Sequence, residues 1–387
     1  MTEDRRAPRI AFFVLAQFLL IFLLVEGGLR LLRGRIPQLG ALLHLETVSG
    51  RFGDAETTEE LLAGSSLGFR PGRAAGGVRL NERGFATGSY AGTKAAATQR
   101  IAVLGDSFVF NDFPHEWMWH TLLDEKLGSD VEVVSLGVPA TSPDFYLRLW
   151  QLEGRRVDAD LVLVGLTIGN DITDDAVAPR DEQRRSPLLR HSLAARAARN
   201  ATIVWRYRST SVGSPIETDP GAVAPGEPLR RYAERFDEER PGLPLADFRE
   251  LTWKRTVVSR NDRQEDLGLW LARLRPTLAD IDAEVRASGA RCVFVLFPDE
   301  YQVDSALRQS VLDEFGDGQS LAVGRPQNRL RRFFERQGLS YVDLLQSFRV
   351  AGQQEGLYRP QDTHWNRRGN QLAAEVLARE LALPKAD

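Results

Sequence analysis

Hydrophobic and polar positions divide this chain into stretches of different character. The first, Ile10–Val25, is apolar apart from Gln17. A weakly patterned stretch follows, rich in Gly and Ala, up to about Gln99. Beyond it, short apolar runs recur: Ile101–Leu104, Val131–Leu136, Leu161–Leu166, Cys292–Phe297 and Ser340–Leu344. Runs of this length and composition are the pattern of buried strands. Between them, His115–Leu127, Phe145–Leu152, Leu267–Ser288, Gln327–Gln337 and Arg367–Leu381 repeat apolar residues at helical spacing. Pro276 is placed to kink the third of these helices. Strands separated by helices predict one five-stranded parallel sheet wrapped by helices, an α/β fold. The sequence contains no internal repeat.

The rhythm breaks over Thr173–Arg263, which is rich in Arg, Asp, Glu and Pro and lacks strand patterns. A long unpatterned stretch inside a compact domain is usually functional or disordered. It reads as an insertion near the C-terminal edge of the sheet, in the position of a lid, with short helices at Leu188–Tyr207 and Leu229–Arg235.

The N-terminal run, continued through Gly27–Leu29, would reach about 30 Å as a helix, enough to cross a hydrocarbon core. No small-x-small cleavage site follows it, so it reads as an uncleaved transmembrane anchor rather than a removed signal peptide. Arg5, Arg6 and Arg9 before the run balance Arg30, Arg33 and Arg35 after it, and charge alone does not set the orientation. The short tail ahead of the run is easily kept inside, which favours a single-pass protein with its main domain outside the cytoplasm. The expected organisation is then 1–36 tail and anchor, 37–99 juxtamembrane lead-in, and 100–384 α/β domain with its insertion at about 173–263. Within the lead-in, Leu80-Asn81-Glu82-Arg83-Gly84-Phe85 reads as a turn between apolar residues.

Composition narrows the chemistry. The chain is 43% hydrophobic and 27% charged, with a formal net charge of -3. A nucleic-acid partner would call for a strongly basic domain. The single cysteine, Cys292, excludes an intrachain disulfide and a multi-Cys metal site. The five histidines are scattered without a paired ligand motif, and no glycine-rich nucleotide loop is present, so no metal or cofactor is expected.

Ser107 follows the first predicted strand in Ile101–Phe110, IAVLGDSFVF, just after Gly105. Open α/β sheets place their ligands at the C-terminal ends of strands. A Ser there is a candidate nucleophile if a His reaches it. Among the histidines only His364 lies between the last predicted strand and the last helix, and Asp362 precedes it by two residues. A carboxylate so placed can accept from imidazole Nδ1–H and turn Nε2 toward the nucleophile. Asp362 as a cap of the last helix is the plainer alternative. Acyl transfer also needs donors where negative charge develops. Three candidates lie on the same predicted edge: the backbone N–H of Ser107, that of Gly137 after the second strand, and the side-chain amide of Asn170 after the third. Gly137 also reads as a turn glycine, and Asn170-Asp171 as a helix cap.

Four blocks in order, Gly105-Asp106-Ser107-Phe108, Gly137, Gly169-Asn170-Asp171 and Asp362-Thr363-His364, make the chain resemble the SGNH hydrolases, or GDSL-type esterases. The N-terminal anchor and the Asn81–Phe85 lead-in resemble a bacterial, membrane-anchored branch of that family. The resemblance implies a flavodoxin-like three-layer α/β/α sandwich. It implies a triad of Ser107 as nucleophile, His364 as base and Asp362 as its orienter, with Ser107, Gly137 and Asn170 forming the oxyanion hole. Many members place the Asp three residues before the His. The Asp-x-His-Trp spacing here resembles the SGNH-like polysaccharide O-acetyltransferases. The expected activity is a serine esterase or deacylase acting on an ester such as an O-acyl group of a cell-envelope glycan. The alternatives are an O-acyltransferase using the same triad and a non-catalytic SGNH-fold envelope protein.

Overall fold

The structure, a computed structural model, describes residues 6–32, 74–90, 94, 98–139, 141–173, 192–195, 197–198, 226–229 and 231–381, with the side chains of 6–32 described at 16, 17 and 20–32. The chain divides into two compact units, residues 1–69 with 178–214, and residues 70–177 with 215–387.

In the first unit, helix α1 (Arg6–Leu32) carries the N-terminal apolar run. Its described side chains from Leu20 to Val25 are exposed. Glu26 accepts from the backbone N–H groups of Leu193 at 3.0 Å and Ala194 at 2.9 Å, and from Ser192 Oγ at 2.9 Å. Among the described residues no helix is long and apolar enough to cross a membrane. The expected anchor is therefore helical in backbone, without a described span. Most of the predicted helix Leu188–Tyr207 lies outside the described residues.

The second unit opens with a hairpin, β1 (Ala74–Ala75) and β2 (Val78–Arg79), joined by Gly76 and Gly77. Both glycines have positive φ, +58° and +74°, the backbone a tight two-residue hairpin turn needs. The Asn81 side chain organises the turn that follows: its Oδ1 accepts from the N–H groups of Arg83 at 2.9 Å and Phe85 at 3.0 Å.

Five parallel strands form the sheet: β3 (Gln99–Leu104), β4 (Val131–Ser135), β5 (Leu161–Thr167), β6 (Arg291–Phe297) and β7 (Ser340–Asp343). Their spatial order is β4-β3-β5-β6-β7. Counted from β3 this is 2-1-3-4-5, the flavodoxin-like winding. The chain reverses direction across the sheet between β4 and β5, so a crevice opens beyond the C-terminal end of β3. One face of the sheet packs Ile101, Val103, Leu161, Leu163, Val295 and Phe297 against α2 (Trp119–Leu127), α10 (Leu345–Ala351) and α11 (Arg367–Glu380). On the other side α3 (Pro143–Leu152) packs on α6 (Gln264–Ala287), which meets β6 and α9 (Arg325–Gln337). The α6 helix continues through Pro276.

Five helices depart from the expected pattern. In α5 (Leu245–Arg255) only Phe248 and Thr252 are buried, and in α8 (Ser305–Phe315) only Val311, so neither carries an apolar stripe. α7 (Glu300–Val303) is one turn, held by a capping box between Asp299 and Gln302. α10 is seven residues long. In the expected Leu229–Arg235 helix, α4 (Tyr232–Arg235) is all that forms, because Arg231 takes a left-handed φ of +67°.

A buried histidine pair is expected to make this fold acid-sensitive. His115 and His120 are both buried, with ring centroids 5.2 Å apart. Burial lowers His115 to about 4, and burial together with His115 lowers His120 to about 3, from an ordinary value of 6.5. Unfolded, both rings take up protons below about 6.5; folded, His115 resists until about pH 4 and His120 until about pH 3. The native state is therefore favoured fully above pH 6.5, and that contribution, roughly several kcal/mol, is lost as pH falls toward 4. The urea midpoint is expected to drop steeply from pH 7 to pH 4.5. His115→Leu, which removes one ring whose Nδ1 has no partner, is expected to flatten the drop. Equal slopes for the two proteins would remove the histidines as its cause.

Candidate active site

The site is built at the C-terminal ends of three neighbouring strands. Gly105 ends β3 and the chain turns at once. The Asp106 carbonyl accepts from the N–H groups of Val109 at 3.0 Å and Phe110 at 3.1 Å. Phe108 is buried, and its carbonyl accepts from Trp119 Nε1 at 2.8 Å, fixing the turn on α2. Asn111 Nδ2 donates to the Ser107 carbonyl at 2.8 Å. Ser107 is thus left half-buried at the tip of a turn fixed on both sides.

His364 reaches this turn from the far end of the sequence. Its Nε2 lies 2.8 Å from Ser107 Oγ, and its Nδ1 lies 2.6 Å from Asp362 Oδ1. The His364 backbone N–H also donates to Asp362 Oδ1, at 3.0 Å. Phe108 packs against the ring, centroids 5.1 Å apart, and Trp365 behind it is buried in the core with Phe108, Phe297 and Phe348. Burial alone would raise the Asp362 carboxyl. The bonds from the His364 ring and backbone and the nearby Arg359 guanidinium outweigh it and hold the group below its ordinary value. An ionised Asp362 can only accept, so Nδ1 carries the proton and Nε2 is left to accept from the Ser107 hydroxyl. Capping of α11 falls to Asn366, whose side chain accepts from Gly369 N–H at 2.9 Å; Asp362 plays no part in it.

The three expected oxyanion donors follow β3, β4 and β5, which are adjacent in the sheet. The N–H groups of Ser107 and Gly137 donate to no other described residue. Asn170 Nδ2 donates to Asp106 Oδ2 at 3.1 Å, which orients the amide and leaves its second N–H. Asp106 is fully buried and also accepts from Phe108 N–H at 2.9 Å and Thr167 Oγ1 at 3.1 Å. One carboxylate therefore joins the Ser107 turn to the Asn170 loop. Asp171 takes a structural role, with Oδ2 accepting from Thr167 N–H at 2.7 Å and Oδ1 from the Tyr146 hydroxyl at 3.1 Å.

Gly137 is required for its size. A Cβ there would overlap the Val109 side chain and come within 2.9 Å of its backbone carbon. Gly137→Ala is expected to cost about 1–3 kcal/mol, the range for overpacking a core, read as a lower urea midpoint. An unchanged midpoint would mean that the Val109 turn yields freely.

Several residues here carry no legible signal in the sequence. Asp299 and Glu300 follow β6. Asp299 is buried and paired with Arg255, Oδ1 to Nη2 2.5 Å, an arginine delivered by α5 from the predicted insertion. The Asp299 carboxylate also packs on Gly169, beside Asn170. Burial pushes the Glu300 carboxyl up to about 9, with Asp304, Asp362 and Asp299 adding to it, so Glu300 is uncharged at neutral pH. A strand end followed by two acids was the only available sign. The insertion also contributes Gly242 and Leu243, whose N–H groups donate to the carbonyls of Pro360 at 3.0 Å and Gln361 at 3.1 Å. That pairing lays the Gly242 backbone against Asp362. Among the described residues no group of three or more His, Cys, Asp or Glu is arranged to hold a metal ion.

Residues 260–386 match the model of a family described as SGNH hydrolase-like domain, acetyltransferase AlgX. The matched segment contains Asp362 and His364 and begins after Ser107, Gly137 and Asn170. No curated protein matches the chain. Similar solved structures include a member of the lipolytic protein G-D-S-L family from Veillonella parvula, with TM-score 0.38 and 13% identity over 74% of this chain and 100% of that one. They also include the acetyl xylan esterase AlAXEase, with TM-score 0.38 and 12% identity over 73% of this chain and 100% of that one. A catalytic mutant of Axe2, an acetylxylan esterase from Geobacillus stearothermophilus, aligns with TM-score 0.37 and 12% identity over 76% of this chain and 99% of that one.

Proposed function

We propose that this chain is an SGNH-type serine esterase or deacylase that works through an acyl-enzyme on Ser107, a reading supported by the family match over residues 260–386. The observation that carries the reading is the line Ser107 Oγ, His364 Nε2, His364 Nδ1, Asp362 Oδ1, with gaps of 2.8 and 2.6 Å. In this reading His364 Nε2 takes the Ser107 hydroxyl proton as Oγ attacks the ester carbonyl carbon. Asp362 stabilises the imidazolium that forms. The developing oxyanion is met by the Ser107 N–H, the Gly137 N–H and the second Asn170 amide N–H. His364 then gives its proton to the departing alkoxide, and the acyl group stays on Ser107. A second hydroxyl, activated by the same base, removes it. The unbroken triad speaks against a vestigial, non-catalytic site.

The acceptor distinguishes two enzymes. With water it is a deacylase; with a sugar hydroxyl it is an O-acyltransferase. Two observations favour keeping the second reading: the matched family model is described by an acetyltransferase, and the Asp362-Thr363-His364-Trp365 spacing suits it. Both readings involve an O-acylated carbohydrate, as substrate of the deacylase or as product of the transferase. We further propose that α1 anchors the protein in a membrane, on the apolar run 10–25 and the exposed apolar side chains of residues 20–25, with the α/β unit outside the cytoplasm.

The test is turnover of an aryl acetate by the full-length protein in detergent, with and without an oligosaccharide acceptor, followed by mass spectrometry. Release of acetate without acceptor supports the deacylase; acetylated oligosaccharide supports the transferase. Absence of both, in protein that folds, would defeat the catalytic reading.

A further inference from the structure

Arg359 has no place in the triad, yet it touches the triad from behind. Its side chain is 8% exposed. Nη1 lies 3.1 Å from Asp362 Oδ2, the oxygen that His364 leaves free, and 3.4 Å from Asp112 Oδ1. Asp362 belongs to the loop that carries the base, and Asp112 to the segment that follows the nucleophile. The guanidinium also sits over the rings of Phe113 and Phe236, 5.7 and 5.1 Å from their centroids, one from the nucleophile segment and one from the predicted insertion. Its backbone closes the same loop: Arg359 N–H donates to the His364 carbonyl at 3.0 Å, and Asp362 N–H to the Arg359 carbonyl at 3.2 Å. The turn is tight enough that Gln361 takes a positive φ of +49°.

A buried guanidinium needs a reason, because desolvating a cation is costly unless it is paired. The exposed Asp112 at 3.4 Å is a weak partner. The closer one is Asp362. We propose that Arg359 is a positioning residue of this site: it clamps the Asp362 carboxylate by the oxygen opposite His364 and ties the base loop to the nucleophile segment. The proposal rests on the acyl-enzyme reading above for its activity readout, and on geometry alone for its spectroscopic one.

The charged and titratable groups around the His364–Asp362 pair are Arg359 from the same loop, Asp112 from the nucleophile segment and Glu300 from α7, which burial keeps uncharged. Arg359 is thus the one cation in direct contact with Asp362 among the described residues. Removing it takes a positive charge from beside the pair, which favours the protonated imidazole. The acid limb of kcat/KM then moves to higher pH.

The experiment compares wild type with Arg359→Met and Arg359→Lys on an aryl acetate across pH, at matched folded fraction. Arg359→Met is expected to lose about 10- to 100-fold in kcat/KM and to shift the acid limb upward by about one pH unit. Arg359→Lys keeps the charge but not the fork or the stacking, so the limb stays in place while the rate recovers only in part. If Arg359→Met folds and keeps the wild-type limb, the clamp is overturned. If it does not fold, Arg359→Lys decides alone: a limb displaced as far as one unit would contradict the charge-based role. The low-field proton resonance of His364 Nδ1–H reads the same pair without turnover. It is expected to shift in either variant, and an unmoved resonance would reject the clamp even if the wild type proves to have no esterase activity.

Discussion

Ser107→Ala and His364→Ala are each expected to reduce aryl-ester turnover by roughly 10⁴- to 10⁶-fold in kcat while leaving the fold intact. In the proposed mechanism Ser107 supplies the nucleophilic oxygen and His364, 2.8 Å away, the base that activates it. The two act as one unit. The double variant is therefore expected to be no slower than the slower single, because once one member is gone the other has nothing to act on. Stability should change little. Ser107 is half-buried, and its Oγ bonds to His364. Thermal unfolding of each variant, run beside the kinetics, separates lost chemistry from lost folding. Multiplying losses in the double variant would mean that the two residues serve separate steps.

Asn170→Ala comes next, with an expected loss of about 10²- to 10³-fold in kcat and little change in KM. In the proposed mechanism the amide acts on charge present only at the tetrahedral stage, so ground-state binding is spared. The geometry adds a sharper consequence. Asn170 Nδ2 is held by Asp106 Oδ2, and the same carboxylate holds the Phe108 N–H and the Thr167 hydroxyl. Asp106→Asn exchanges one acceptor oxygen for a donor, and the Asn170 amide loses the group that orients it. Its kcat is expected to fall nearly as far as that of Asn170→Ala, and the double variant to add little to either. Steady-state kcat and KM for the four proteins complete the cycle. Additive losses would place Asp106 outside the oxyanion arrangement.

The expected strands all appear within two residues of their expected limits; β3, β5 and β6 are mostly buried apolar runs, while β7 at the sheet edge is only half-buried. The parallel arrangement followed from their spacing. The helices with strong stripes were legible for the same reason: Leu271, Leu274, Leu278, Ile281 and Val285 all face inward along α6. What stayed hidden were elements without a stripe, such as α5 and α8, and contacts made between distant segments. Arg255 looks like any surface arginine in a charged stretch until α5 brings it to Asp299. Arg359 likewise becomes part of the site only when its loop folds back on Asp112. Ser107 and His364 were legible as candidates from their positions relative to predicted strand ends, and Asp362 from its place two residues before His364. The Asn170 amide was legible as a candidate donor, but its tie to Asp106 was not.

The central claim is that Ser107 is a nucleophile poised by His364 and Asp362. The most direct measurement is treatment of the folded, full-length protein with a fluorophosphonate, followed by peptide mapping of the adduct. A single adduct on Ser107 is expected, abolished in His364→Ala and absent from heat-denatured protein. An unlabelled Ser107 in folded protein, or an adduct on another serine, would contradict the account.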